Sequence, residues 1–172
     1  MPRPVSGEFH EYYDRYVSRV ADGDIVETLS TQWEATRTLL ASVPPEREEY
    51  RYAEGKWSVR EVVGHLADVE RLFAFRALWI ARGAVDGQPS MEQDDWVATS
   101  NAGSRRLADL VAEWGAARHA NVLMFASFDE DTWSRRGTAG GHPLTVRAVP
   151  WIMAGHELHH RALLKRDYLG GR

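Results

Sequence analysis

The chain has 172 residues, a formal net charge of −4 and no cysteine. That length suits a single domain over residues 1–172 with its own apolar core, and the missing thiols exclude disulfide scaffolds, thiolate metal sites and cysteine nucleophiles. Interspersed basic residues exclude a phosphate-gripping field and so a nucleic-acid partner, while the lack of an 18-residue apolar run or signal-peptide core points to a cytoplasmic protein without a membrane partner.

Four segments carry apolar residues at helical spacing and predict an all-α fold. The first, over 24–43, places Ile25, Leu29, Trp33, Thr36 and Leu40 on one stripe and stops at Pro44 and Pro45. A loop follows as far as Lys56. The second segment opens on "WSVREV", where Ser58 and Glu61 stand at capping-box spacing and Trp57 and Val62 can close a hydrophobic staple. Its apolar pattern continues until Gly83 and Gly87, which predicts a helix of more than 20 residues. Between Gly83 and Gly103 the chain is long enough to cross a bundle from end to end, and the acidic "MEQDDW" within it, with Asp94, Asp95 and Trp96, reads as a solvated loop. The third segment, over 104–128, buries Leu107, Leu110, Val111, Trp114, Val122 and Phe125, and "DEDTW" after it reads as a short turn of helix. The fourth covers 144–169, with Thr145 as its N-cap and Arg161, Lys165 and Arg166 toward its C-terminus. Pro150 predicts a kink or a fresh helix start near Ala148. The architecture expected is a four-helix bundle with a long crossover between the second and third helices.

The fourth helix contains "AGHELHHRALL", whose His156, Glu157 and His160 spell the H-E-x-x-H signature of zinc proteases. The signature alone is weak, since this composition yields it by chance in roughly one chain in forty of this length. A protease also needs a third ligand, usually downstream, and the residues after His160 include no His or Glu; Leu163 stands where the extended form of the motif needs glycine. No strand pattern supplies an edge for a peptide. The protease reading is therefore set aside.

The histidine pair remains. Residues four apart lie one above the other on a helix face, close enough to share a metal. His156 shares its stripe with Ile152, Met153, His160, Leu163 and Leu164 and is expected to face the core. Glu157, rotated by about 100° from it, is expected to be solvated, and His159 to be a surface group or a support behind the ligands. His65 shares the stripe of Val62, Val69 and Leu72 on the second helix. Three neutral imidazoles from two helices, His65, His156 and His160, would make a facial site for one divalent ion with positions left open for water or substrate, the pattern of catalytic zinc. His10, His119 and His142 have no partners at ligand spacing and receive no role.

"KWSVREVVGHLADVERLFAFRAL", followed some ninety residues later by "TVRAVPWIMAGHELHHRALL", resembles the DinB/YfiT-like superfamily over nearly the whole chain, with the "DDW" of the crossover adding to the likeness. The resemblance implies a four-helix bundle, commonly a homodimer, that binds a divalent ion through one histidine of helix two and two of helix four, again His65, His156 and His160. It implies a metal-dependent thiol S-transferase or hydrolase acting on a small-molecule substrate with metal-activated thiolate or hydroxide, a low-molecular-weight thiol serving as cosubstrate in the transferases. Zinc and nickel are the expected ions. Glu61 and Asp68, one turn either side of His65, are candidates to orient its imidazole through the other ring nitrogen. Two other readings stand beside the enzyme: a non-catalytic stress or scaffold bundle steadied by its ion, and a bundle that dimerises, through residues such as Phe75 and Trp79, and has merely inherited the histidines.

Overall fold

The structure, a computed structural model, describes residues 1–85 and 87–170. Its frame is four long helices: α2 (Ile25–Ala41), α3 (Val59–Ala81), α5 (Leu107–Ala126) and α7 (Ala148–Leu163). Shorter helices lie between and before them, α1 (Asp14–Val17), α4 (Gln93–Thr99) and α6 (Glu130–Ser134). Both α3 and α2 pack chiefly on α5 and α7, so α2 and α3, consecutive in the chain, occupy opposite corners. The segment from Gly83 to Gly103 is the long crossover expected from the sequence, and it carries α4 against α3.

Local chemistry accounts for the boundaries. Asp24 caps α2, accepting from the N–H groups of Val26 and Glu27. Ser58 and Glu61 form the reciprocal capping box that starts α3. At α7 the Thr145 hydroxyl accepts from the Ala148 N–H at 3.1 Å, so Thr145 does cap the helix, although the backbone begins to coil only after Arg147. Pro150 falls in the first turn, where its missing N–H leaves no bond unmade, and α7 runs on without interruption. This is the fresh start near Ala148.

Two features depart from the expectation of four helical segments joined by loops. A hairpin of β1 (Arg136–Ala139) and β2 (His142–Thr145) precedes α7, paired antiparallel from Arg136 opposite Thr145 to Ala139 opposite His142. Its two-residue turn is Gly140 and Gly141, both in the left-handed region (φ +58° and +78°) that such turns require. Strands of four residues leave too little alternation to detect, and the Gly-Gly pair was the one signal available. The second departure is the N-terminal segment, which packs along α7 through α1. Arg3 ties it down by donating to the Val17 and Val20 carbonyls and lying over the Trp151 ring.

The apolar core falls into two clusters. One gathers Val69, Phe73, Phe125, Trp151, Ile152 and their neighbours; the other gathers Val59, Val62, Leu66, Leu110, Trp114 and Leu164. All four long helices also bury polar side chains, Thr36 on α2, His65 and Glu70 on α3, Arg118 on α5 and His156, Glu157 and His160 on α7, and the site is among them.

Candidate metal centre

His65 projects from the middle of α3, and His156 and His160 from successive turns of α7. The Nε2 atoms of His65 and His160 lie 3.2 and 3.1 Å from that of His156, and all three residues are buried. Each offers a ring nitrogen within 4.8 Å of the others. Zinc–nitrogen bonds of about 2.0–2.1 Å at tetrahedral angles would separate two nitrogens by roughly 3.3 Å, so the spacing fits one shared divalent ion. Among the described residues no carboxylate joins this group.

Burial keeps the imidazoles neutral. It lowers His65 to about 4, and it holds His156 and His160 well below the ordinary histidine range, helped by their mutual proximity. A neutral imidazole has a lone pair to offer a metal, and the three ring nitrogens stand close enough to offer theirs to one ion. Trp57 covers the group, its ring 4.8 Å from that of His65 and stacked at 6.5 Å on that of His160. The sequence reading gave Trp57 a capping role alone.

Two cavities of about 300 Å³ each reach the cluster. One is lined by His65 and His156 with Tyr13, Phe73, Arg76 and Ile152; the other by His160 with Trp57, Tyr168 and Asp94. Gln93, at the start of α4, lines both. From Gln93 on, the "MEQDDW" stretch thus begins a short helix at the mouth of the site: Gln93, Asp94, Asp95 and Trp96 are all exposed, as expected of a solvated stretch, and Gln93 and Asp94 also line the cavities. His10 and His142, from segments without ligand spacing, meet with ring centroids 3.8 Å apart and planes tilted by 56° on the wall of the first cavity. Sequence separation hid that pair.

The two carboxylates proposed to orient His65 are engaged elsewhere or out of reach. Glu61 accepts from the Ser58 N–H and pairs with Arg51, which lowers its pKa despite partial burial. Asp68 is half-buried with its pKa raised by desolvation. Neither bonds the Nδ1 of His65, which has no hydrogen-bond partner; the Nδ1 of His160 is likewise unpaired. His159, half-buried, turns to the Tyr16 ring at 5.6 Å.

Glu157 corrects the expectation of a solvated residue. It is 1 % exposed, because every residue of α7 from Ala148 to Glu157 is buried and the helix has no solvent face there. One oxygen accepts from Thr36 at 2.5 Å and the other from Arg118 at 2.7 Å. Arg118 also grips Glu70 through two bonds of 2.9 and 2.8 Å and donates to the Leu29 carbonyl, so that one guanidinium joins all four long helices. Trp114 and Asn121 complete the shell of Glu70. With both oxygens held in this network, Glu157 cannot serve as the general base of a protease.

The sequence profile of the DinB superfamily matches residues 28–164. The chain belongs to the DinB superfamily. Its relatives include a protein of Geobacillus kaustophilus (strain HTA426) named "Putative metal-dependent hydrolase", 31 % identical over 136 residues, a match covering 73 % of this chain and 72 % of that one. The fold is similar to that of YfiT from Bacillus subtilis, described as a probable metal-dependent hydrolase with an unusual four-helix bundle topology, with a TM-score of 0.71 at 15 % identity over 95 % of this chain and 91 % of the other. It is also similar to the mycothiol-dependent maleylpyruvate isomerase, with a TM-score of 0.70 at 13 % identity over 88 % of this chain and 62 % of that one. As a DinB-superfamily member it shares their helical bundle, and it carries a buried three-histidine group within it. Among the described residues no helix is long and apolar enough to cross a membrane.

Proposed function

We propose that this chain is a metal-dependent enzyme, a hydrolase or thiol S-transferase acting on a small molecule, with one divalent ion held by His65, His156 and His160. The observation that carries the reading is the meeting of three buried, neutral Nε2 atoms at the junction of two cavities. A structural ion is normally closed in by four protein ligands, whereas three ligands beside open space suit catalysis. When bound, the ion would lower the pKa of a water or thiol and supply the nucleophile at neutral pH.

The chain's own residues do the rest. Neutral imidazoles leave the ion's charge uncompensated and so favour an anionic nucleophile. Trp57 packs on His65 and His160, the aromatic wall of the first cavity offers an apolar surface to a substrate beside the cluster, and Gln93 has an amide able to donate or accept beside either cavity. The name of the Geobacillus relative supports hydrolysis, and the mycothiol dependence of the isomerase supports a thiol cosubstrate.

Elemental analysis of the untagged protein beside the His65→Ala, His156→Ala and His160→Ala variants tests the centre. About one ion per chain, zinc or nickel, is expected in the parent and little in any variant. Stoichiometric metal in all three variants would sink the assignment. An ester panel run with and without added low-molecular-weight thiol then separates hydrolase from transferase.

A further inference from the structure

Arg76 lies three turns beyond His65 on α3 and is 3 % exposed. Its surroundings differ from those of Arg118, which is as deeply buried but holds two carboxylates. Among the described residues no carboxylate pairs with Arg76. It has Tyr13 beside it, the Phe73 ring 5.0 Å from its guanidinium carbon, and one bond from Nη2 to the Pro89 carbonyl at 2.8 Å. Its Nε–H is buried with no acceptor. A buried guanidinium without a counter-ion is costly and calls for an anion from outside the fold.

The place for one adjoins it. Arg76 lines the cavity that His65 and His156 also line, and the walls between are apolar and aromatic, with no aspartate or glutamate among the described lining residues. The second cavity contains both Lys56 and Asp94 and so lacks this one-sided charge. Along the helix axis Arg76 is about 16 Å beyond His65, a separation reduced because the arginine is the longer side chain and its guanidinium lies back over Phe73, on the His65 side.

We propose that Arg76 is the anion-recognising residue of this cavity, and that the substrate carries a carboxylate or phosphate group at the Arg76 end and an apolar body of several carbons reaching toward the three histidines. The orientation toward the histidines rests on the metal-dependent reading; the anion site itself does not. A planar guanidinium with a free N–H matches either group through charge-assisted hydrogen bonds. Arg76 thereby sets which substrates enter and which end of them faces the histidines.

The test is calorimetric titration of the 172-residue chain, metal-loaded and metal-stripped, with hexanoate, hexyl phosphate and neutral hexanamide. At least one anion is expected to bind about ten-fold or more tightly than hexanamide in both metal states. Whichever anion binds tighter identifies the group as carboxylate or phosphate. Arg76→Met should erase the preference and Arg76→Lys keep part of it; if circular dichroism shows Arg76→Met unfolded, the stripped parent and Arg76→Lys decide. The proposal is overturned if hexanamide binds as well as the anions, if neither anion binds at millimolar concentration, if the preference survives Arg76→Met, or if stripping the metal abolishes it. Metal content of the parent, measured on the same samples, reports separately on the three-histidine centre: a parent that prefers the anion but takes up no metal would overturn that reading alone.

Discussion

His65 is a base held neutral by burial, and the consequence for stability has a definite sign. Its folded pKa of about 4 lies below the ordinary 6.5. Between those values the unfolded chain takes up a proton that the folded chain refuses. The contribution is therefore fully present above pH 6.5, falls as pH drops toward 4, and levels off below. For a residue 2 % exposed, the whole span is worth about 3 kcal/mol, to be read from urea midpoints of the metal-stripped protein between pH 4 and 7. Metal retention should weaken over the same window, because the proton and the ion compete for one lone pair. A different outcome belongs to Glu157. Replacing it with glutamine removes one partner of a buried ion pair, so a loss of about 3–5 kcal/mol in unfolding free energy is expected, with metal content unchanged because its oxygens face Thr36 and Arg118 rather than the histidines. In a protease of the H-E-x-x-H type the same change would remove the base and spare stability.

Individual elements carry their own constraints. A Cβ on Gly155 would stand 2.0 Å from the Tyr16 carbonyl oxygen, so α1 reaches α7 only because the residue before His156 has no side chain. Tyr16 in turn packs edge-on to His156 at 5.1 Å and lines the first cavity. Gly155→Ala should displace the N-terminal segment, lower stability by about 1–3 kcal/mol or more, and expose the cavity, measured as faster amide exchange over residues 9–20. At the other end, Ser58→Ala removes one half of the capping box of α3 and should cost about 1 kcal/mol, visible as a lower urea midpoint without loss of metal. Both elements were readable in the chain to different degrees. The Ser58–Glu61 spacing announces the start of α3 without any tertiary information, since a cap bonds only its own first turn. Gly155 before His156 looks like an ordinary helical glycine until the Tyr16 backbone is seen against it.

For the molecule as a whole, the ion and a second copy are the two expected sources of added stability. Anything that binds the folded chain alone raises its unfolding free energy by mass action, about 2.7 kcal/mol at a hundred times the dissociation constant. Chelation should therefore lower the melting temperature of the parent and leave His156→Ala unmoved. Phe75, Leu78 and Trp79 are 50, 36 and 41 % exposed on neighbouring turns of α3, an apolar face of the kind that packs against a partner. On the proposal that the chain is a homodimer, Trp79→Glu should shift sedimentation toward the monomer; an unchanged profile would exclude that face.

The sequence by itself determined the four long helices, the crossover, and most of the inward stripe of α2 and α3, because a helical period of 3.6 residues writes a buried face into the apolar pattern; it did not show that α7 is buried on every side from Ala148 to Glu157. It also singled out His65, His156 and His160, since two imidazoles four apart on a buried stripe, matched by one on another helix, leave few other arrangements. Tertiary structure alone decided which polar residues are interior. Arg118, Glu70 and Glu157 look like surface charges in a one-dimensional pattern; burial becomes tolerable only when side chains separated by dozens of residues pair and hydrogen-bond with one another, and no local signal encodes that pairing. The same holds for the hairpin, too short to show a period, and for Arg76, an ordinary arginine in the chain that the fold leaves buried beside a cavity without a carboxylate.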